Sequence, residues 1–81
     1  PFNPDIYIQY KVELGGNVIL NVYDILGKNI KTLVSEYKPV GNYIIKWDAT
    51  NEHGEKCPSG QYFYQIQTSD VVQTKRMILL K

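Results

Sequence analysis

The stretch that decides the fold is GNYIIKWDATNEHGEKCPSGQYFY, residues 41–64. Its first arm sets Tyr43, Ile45 and Trp47 on one face at a two-residue period, and its second arm does the same with Tyr62, Tyr64 and Ile66. Such alternation marks a strand buried on one side, because successive side chains of a pleated backbone point to opposite faces. These six side chains are expected at the centre of a β-sheet core, with the two arms forming a β-hairpin-like clamp. Between the arms, Asp48, Asn51 and Gly54 tolerate tight turns and positive φ, so the loop is expected to fold on itself before Pro58-Ser59-Gly60 closes it.

Working outward, Pro1-Phe2-Asn3-Pro4 carries two prolines and a turn-forming Asn, and reads as the end of a linker. A single domain then runs from residue 5 to residue 81. Ile6, Ile8, Tyr10 and Val12 alternate with Tyr7, Gln9 and Lys11, which predicts a half-buried strand. After the Gly15-Gly16-Asn17 turn, Val18, Leu20 and Val22 define a second strand, expected to pair with the first or to sit nearby. Asp24 to Lys28 reads as a turn with Gly27 at positive φ and Ile25 or Leu26 plugging the end of the core. Ile30 and Leu33 stand three apart in the next segment, which breaks the strand period. A bulge, a sharp twist or a single helical turn around residues 32–35 would each account for that spacing. Pro39 interrupts pairing before the Trp47 strand. Thr68-Ser69-Asp70 turns the chain into its last strand. There Met77-Ile78-Leu79-Leu80 is apolar on both faces, which fits either a strand covered within its own domain or one whose outer face meets another domain or a receptor. No internal repeat is apparent, and no window shows helical periodicity free of breakers. Six to seven short strands with turns at short intervals predict an all-β fold, an immunoglobulin-like antiparallel β-sandwich.

With 81 residues, folding buries roughly 60% of the surface that the extended chain exposes, a small core. Seven tyrosines, two phenylalanines and one tryptophan supply much of it, since each aromatic buries about 150–250 Å². Aromatic packing thus stands in for disulfides, because the single cysteine, Cys57, has no intrachain partner. Nine basic and eight acidic side chains are spread along the chain and form no broad footprint for nucleic acid. Apolar runs reach only four residues, against the roughly 20 that a membrane-crossing helix needs, which predicts a soluble domain without membrane insertion. The start at Pro1, with neither methionine nor signal peptide, predicts a piece of something longer.

Catalysis has weak support in these residues. Asp48, His53 and Ser59 have the composition of a hydrolytic triad without the glycine pattern of a nucleophile elbow. Counted from Asp48 as a calcium loop, Gly54 falls seventh and Ser59 twelfth, where an EF-hand needs Gly sixth and Glu twelfth, so an Asx-type turn is expected instead. His53 and Cys57 are two ligands where structural zinc takes four. No enzyme activity, metal or cofactor is expected. Tyr7, Tyr23 and Phe63 fall on the strand faces opposite the core. Exposed rings can stack on sugars, which makes polysaccharide a candidate partner, or they can pair across strands.

The order of signals resembles a known family. Pro1-Phe2-Asn3-Pro4, then Val18 to Lys28, then Gly41 with Trp47-Asp48, then Ser59-Gly60-Gln61-Tyr62-Phe63-Tyr64, and a closing Lys75-Arg76-Met77-Ile78-Leu79-Leu80-Lys81 resemble the C-terminal sorting domains of type IX secretion cargo. The pattern is also similar to the immunoglobulin-like domain of the flagellar hook-capping protein. The first resemblance implies a seven-stranded sandwich at the end of a larger secreted protein. It implies an outer-membrane translocon and a sortase-like peptidase as partners, and a secreted or cell-surface location in a Gram-negative bacterium after transit through the periplasm. By position, the sorting signal would occupy Lys75, Arg76, Met77, Ile78, Leu79, Leu80 and Lys81, with Gly60 and Tyr62 shaping the preceding strand and Gly27 and Gly41 as fold glycines. An accessory immunoglobulin-like spacer or carbohydrate-binding module of an extracellular enzyme, and a cap domain of a flagellar assembly, are the competing readings.

Overall fold

The computed structural model describes residues 5–81, so the linker reading of Pro1 to Pro4 lies outside the described residues. Six strands follow one another: β1 (Ile6–Val12), β2 (Gly16–Tyr23), β3 (Asn29–Lys38), β4 (Gly41–Trp47), β5 (Gly60–Gln67) and β6 (Val72–Leu79). They form two antiparallel sheets, β1-β4 and β3-β2-β5-β6. This is the all-β immunoglobulin-like sandwich, with six strands among the described residues where the sorting-domain resemblance implied seven.

Pairing departs from chain order at three of the five successive strand pairs, β1/β2, β3/β4 and β4/β5. β1 and β2 lie in opposite sheets, because β1 pairs with β4 (Ile8 opposite Ile45, Val12 opposite Gly41). The arms of the expected hairpin clamp are likewise separated: β4 belongs to the two-stranded sheet and β5 to the four-stranded one. Trp47 and Tyr62 therefore meet across the interior, edge to face with centroids 5.3 Å apart and planes at 64°. That contact welds the sheets, and such aromatic pairs contribute about 0.5–1.5 kcal/mol beyond the area they bury. Around it the alternating residues Ile8, Val12, Val18, Leu20, Val22, Ile66, Met77 and Leu79 are buried, with Tyr43, Ile45 and Tyr64 packed at the margin.

The irregular third strand is a strand with two bulges. Its register against β2 passes from Val34 to Thr32 and from Lys31 to Asn29, so Leu33 and Ile30 are the unpaired extra residues. A bulge lets consecutive turns of the pleat present side chains to the same face. Ile30 and Leu33 both pack against the core despite their three-residue spacing. The 24–28 turn differs from expectation in one respect. Gly27 has φ +84°, but Ile25 and Leu26 are 68% and 88% exposed and plug nothing. The Asp24 carboxylate takes the amides of Leu26 and Lys28, and this holds the two apolar tips outward.

Residues 48–57 fold on themselves as an Asx-type turn. The Asn51 side-chain oxygen accepts the His53 and Glu55 amides at 2.9 and 3.0 Å, and the Asp48 carboxylate accepts the Thr50 amide and hydroxyl. Gly54 takes positive φ as the sequence suggests, whereas the second such residue is Ala49 (φ 64°) rather than Asp48 or Asn51. The loop then docks on the outer edge of β3. Glu52 donates its amide to the Ile30 carbonyl (3.1 Å), and its carboxylate accepts the Thr32 amide (2.7 Å).

Candidate functional site

The last strand is at the rim of the four-stranded sheet. On one side β6 pairs continuously with β5, from Gln67 opposite Val72 to Gly60 opposite Leu79. Its other side has no strand partner among the described residues. Its apolar end is split by alternation: Met77 and Leu79 are buried, while Ile78 is 53% and Leu80 74% exposed. The reading of this strand as one covered within its own domain is thereby corrected. No second layer packs on the outer face of this sheet among the described residues, so only the inward residues of β6 find a core.

Register determines which of the proposed site residues meet. Tyr62 lies opposite Met77, Phe63 opposite Arg76 and Gln61 opposite Ile78, and Phe63 in turn lies opposite Tyr23 on β2. The outer face of the large sheet thus carries a row Tyr23–Phe63–Arg76, flanked by hydrogen-bonded polar residues. There the Thr32 hydroxyl donates to the Asn21 side chain (2.6 Å), and the Gln65 amide donates to the Thr74 hydroxyl (3.2 Å). A shallow depression of about 410 Å³ beside this row is lined by Tyr23, Ile25, Phe63 and Thr74. Tyr7 does not join it. It is 62% exposed on the other sheet, opposite Lys46, so the three rings make no common stacking platform. Gly41 is remote in register as well, at the start of β4 opposite Val12.

At the strand's end, the Lys81 amide donates to the Ser59 hydroxyl (3.1 Å), which ties the last residue to the start of β5. Of the three residues with triad composition, Ser59 is thus occupied by Lys81, Asp48 by Thr50 and by Lys31 at 3.6 Å, and His53 sits in the Asn51 turn. The Thr50 hydroxyl bond, followed by the Lys31 charge, holds the Asp48 carboxyl below its ordinary range. Burial pushes the neighbouring Cys57 thiol up.

One element escaped the sequence reading although its signal is plain. Pro39-Val40-Gly41-Asn42-Tyr43 and Pro58-Ser59-Gly60-Gln61-Tyr62 are the same Pro-x-Gly-x-Tyr pattern, a short repeat in a chain expected to have none. In each copy the tyrosine hydroxyl donates to the carbonyl of its proline, at 2.6 Å for Tyr43 and 2.7 Å for Tyr62. These are tyrosine corners, which lock the chain as it enters a strand. One opens the strand that pairs with β1, and the other opens the strand that pairs with β6. Tyr43 is further stacked on Tyr10 (5.3 Å, 20°), with Lys38 over its ring at 5.0 Å.

A comparison with curated proteins finds no match to the chain. Among solved structures, FlgD from P. aeruginosa superposes with a TM-score of 0.71 and 23% identity, covering 93% of this chain and 59% of that one. Latent, dimeric PorU from Porphyromonas gingivalis superposes with a TM-score of 0.67 and 21% identity, covering 96% of this chain and 8% of that one. The chain therefore spans less than two thirds of either protein, and these likenesses concern the fold. The family model of the FlgD Ig-like domain matches residues 12–71, from the end of β1 to the turn before β6. That match covers most of a chain whose two-sheet sandwich also superposes on FlgD, and on it this chain belongs to the FlgD Ig-like domain family.

Proposed function

We propose that this domain is a non-catalytic sorting and surface-attachment module of a larger secreted protein, read by the outer-membrane secretion machinery. The observation that carries the proposal is the division of labour in β6. Met77 and Leu79 anchor the strand in the core, while Lys75, Arg76, Ile78 and Leu80 stand exposed at the rim of the sheet. A strand of this kind can be read by a protein partner without unfolding the sandwich, through its side chains and its backbone edge. The motif order from Val18 to Lys81 supports the type IX reading, and the occurrence of a similar fold within PorU is consistent with it. On this reading the partners are a translocon and a sortase-like peptidase, and the destination is the cell surface or the medium after passage through the periplasm.

The test is a fusion of residues 1–81 behind a signal peptide and a fluorescent protein, in a bacterium with a type IX system. A parallel fusion lacks residues 75–81. Surface or medium localisation of the full fusion, with the truncated one held in the periplasm, is the expected result. Periplasmic retention of both, with the full domain folded, refutes it. The second reading, an accessory spacer or carbohydrate-binding module, draws on the Tyr23–Phe63 pair beside its shallow depression. Retardation of the isolated domain in polysaccharide gels, abolished by Phe63→Ala, would favour it.

A further inference from the structure

The two edges of the large sheet are finished differently. Along β3 the edge is bulged at Ile30 and Leu33, and the Glu52 loop bonds the Ile30 carbonyl and the Thr32 amide. Bulges and covering loops are devices that stop an edge from recruiting another strand. Along β6 neither device is present among the described residues. The strand contains no proline, and its register with β5 runs without a shift over all eight residues.

Charge disfavours the pairing of β6 with copies of itself. Residues 72–81 carry Lys75, Arg76 and Lys81 and no carboxylate, and none of the ion pairs among the described residues uses these three cations. An antiparallel pair of β6 strands centred on Lys75 and Arg76 would set cation opposite cation, an arrangement that destabilises a sheet. The same feature selects for the opposite sign. Because neighbouring residues alternate, Arg76 stands on the outer face beside Phe63 and Lys75 on the inner face opposite Tyr64.

We propose that the free edge of β6 pairs antiparallel with an extended acidic segment of a protein partner. Two adjacent carboxylates of that segment lie opposite Arg76 and Lys75, one on each face of the sheet. The residue two places before the first carboxylate is apolar and covers Ile78. This specifies the chemistry of the partner and rests on the reading of β6 as the recognised strand. Backbone hydrogen bonds supply the pairing, and the two charges fix its register and direction.

The experiment uses the 81-residue chain and fluorescent peptides of about ten residues, the length of a strand. These peptides alternate threonine and valine and carry two adjacent glutamates at the centre, or two lysines in the twin. Fluorescence anisotropy should show binding of the glutamate peptide that weakens with salt. The Lys75→Glu/Arg76→Glu variant should lose about tenfold in affinity for it and gain the lysine twin. Two further peptides have alternate backbone amides N-methylated, in the odd or the even positions. Strand pairing uses only one of these sets, so one peptide should fail and the other should bind. Equal binding of both, indifference to the charge swap, or no binding at all overturns the proposal. Export of the reporter fusion without peptide binding would leave sorting standing and strand pairing refuted. Peptide binding without export would do the reverse.

Discussion

The twin tyrosine corners offer a controlled experiment, because the same bond is made in two environments. Tyr62 is buried and its hydroxyl bonds the Pro58 carbonyl at 2.7 Å in a partly buried setting, whereas the Tyr43–Pro39 bond of 2.6 Å is exposed. Substitution by phenylalanine removes one oxygen and leaves the ring. The edge contact of residue 62 with Trp47, and the stack of residue 43 on Tyr10, are therefore retained. A lost hydrogen bond costs about 0.5–1.5 kcal/mol, and more when the orphaned acceptor is shielded from water. At Pro39 water can replace the hydroxyl, but at Pro58 replacement is hindered. Tyr62→Phe should thus destabilise by about 1–2 kcal/mol and Tyr43→Phe by about 0.5 kcal/mol or less. In thermal unfolding each kcal/mol corresponds to roughly 4–8 °C in a domain of this size. In urea the midpoint should fall at constant slope, since the unfolded surface is the same. Equal losses for the two variants, or a larger loss for Tyr43→Phe, would refute the assignment of burial as the deciding factor.

Two further predictions concern the central loop and the tyrosines. Glu52→Ala removes the acceptor of the Thr32 amide, so amide exchange at Thr32 and proteolytic cutting within residues 48–57 should accelerate, with a stability loss of about 1 kcal/mol; unchanged exchange would show that the loop is held by other contacts. Burial raises the native pKa of the Cys57 thiol and of Tyr10, Tyr62 and Tyr64. The unfolded chain releases these protons first, from about pH 8.5 for the thiol and about pH 10 for the phenols. The stability these groups contribute is therefore complete below those values and declines as pH rises toward the native ones. The urea midpoint should fall above about pH 8.5, more gently at first in Cys57→Ala; a flat profile to pH 11 would contradict the burial of these groups.

Much of this domain was legible in the sequence because a strand is a local pattern. The alternations from Ile6, Val18, Tyr43 and Tyr62 located four strands, the Thr68-Ser69-Asp70 turn located the last, and the broken period between Ile30 and Leu33 announced the irregularity of the remaining one. The paired Pro-x-Gly-x-Tyr segments were equally visible, and recognising them needed only a comparison of residues 39–43 with 58–62. Pairing was not legible. Period-two alternation says that a strand has a buried face but not which strand covers it or lies beside it. The Trp47 and Tyr62 arms, adjacent in sequence, therefore read as a hairpin although they belong to opposite sheets. The same blindness hid the placement of β6. Whether Ile78 is covered depends on what packs on its face of the sheet, which is a property of the whole chain. Local composition thus determined the all-β class, the turns, the aromatic core and the basic end of the last strand. Tertiary structure alone decided that this end lies on an edge left open by the described residues, because an edge is defined by the strands that are not beside it.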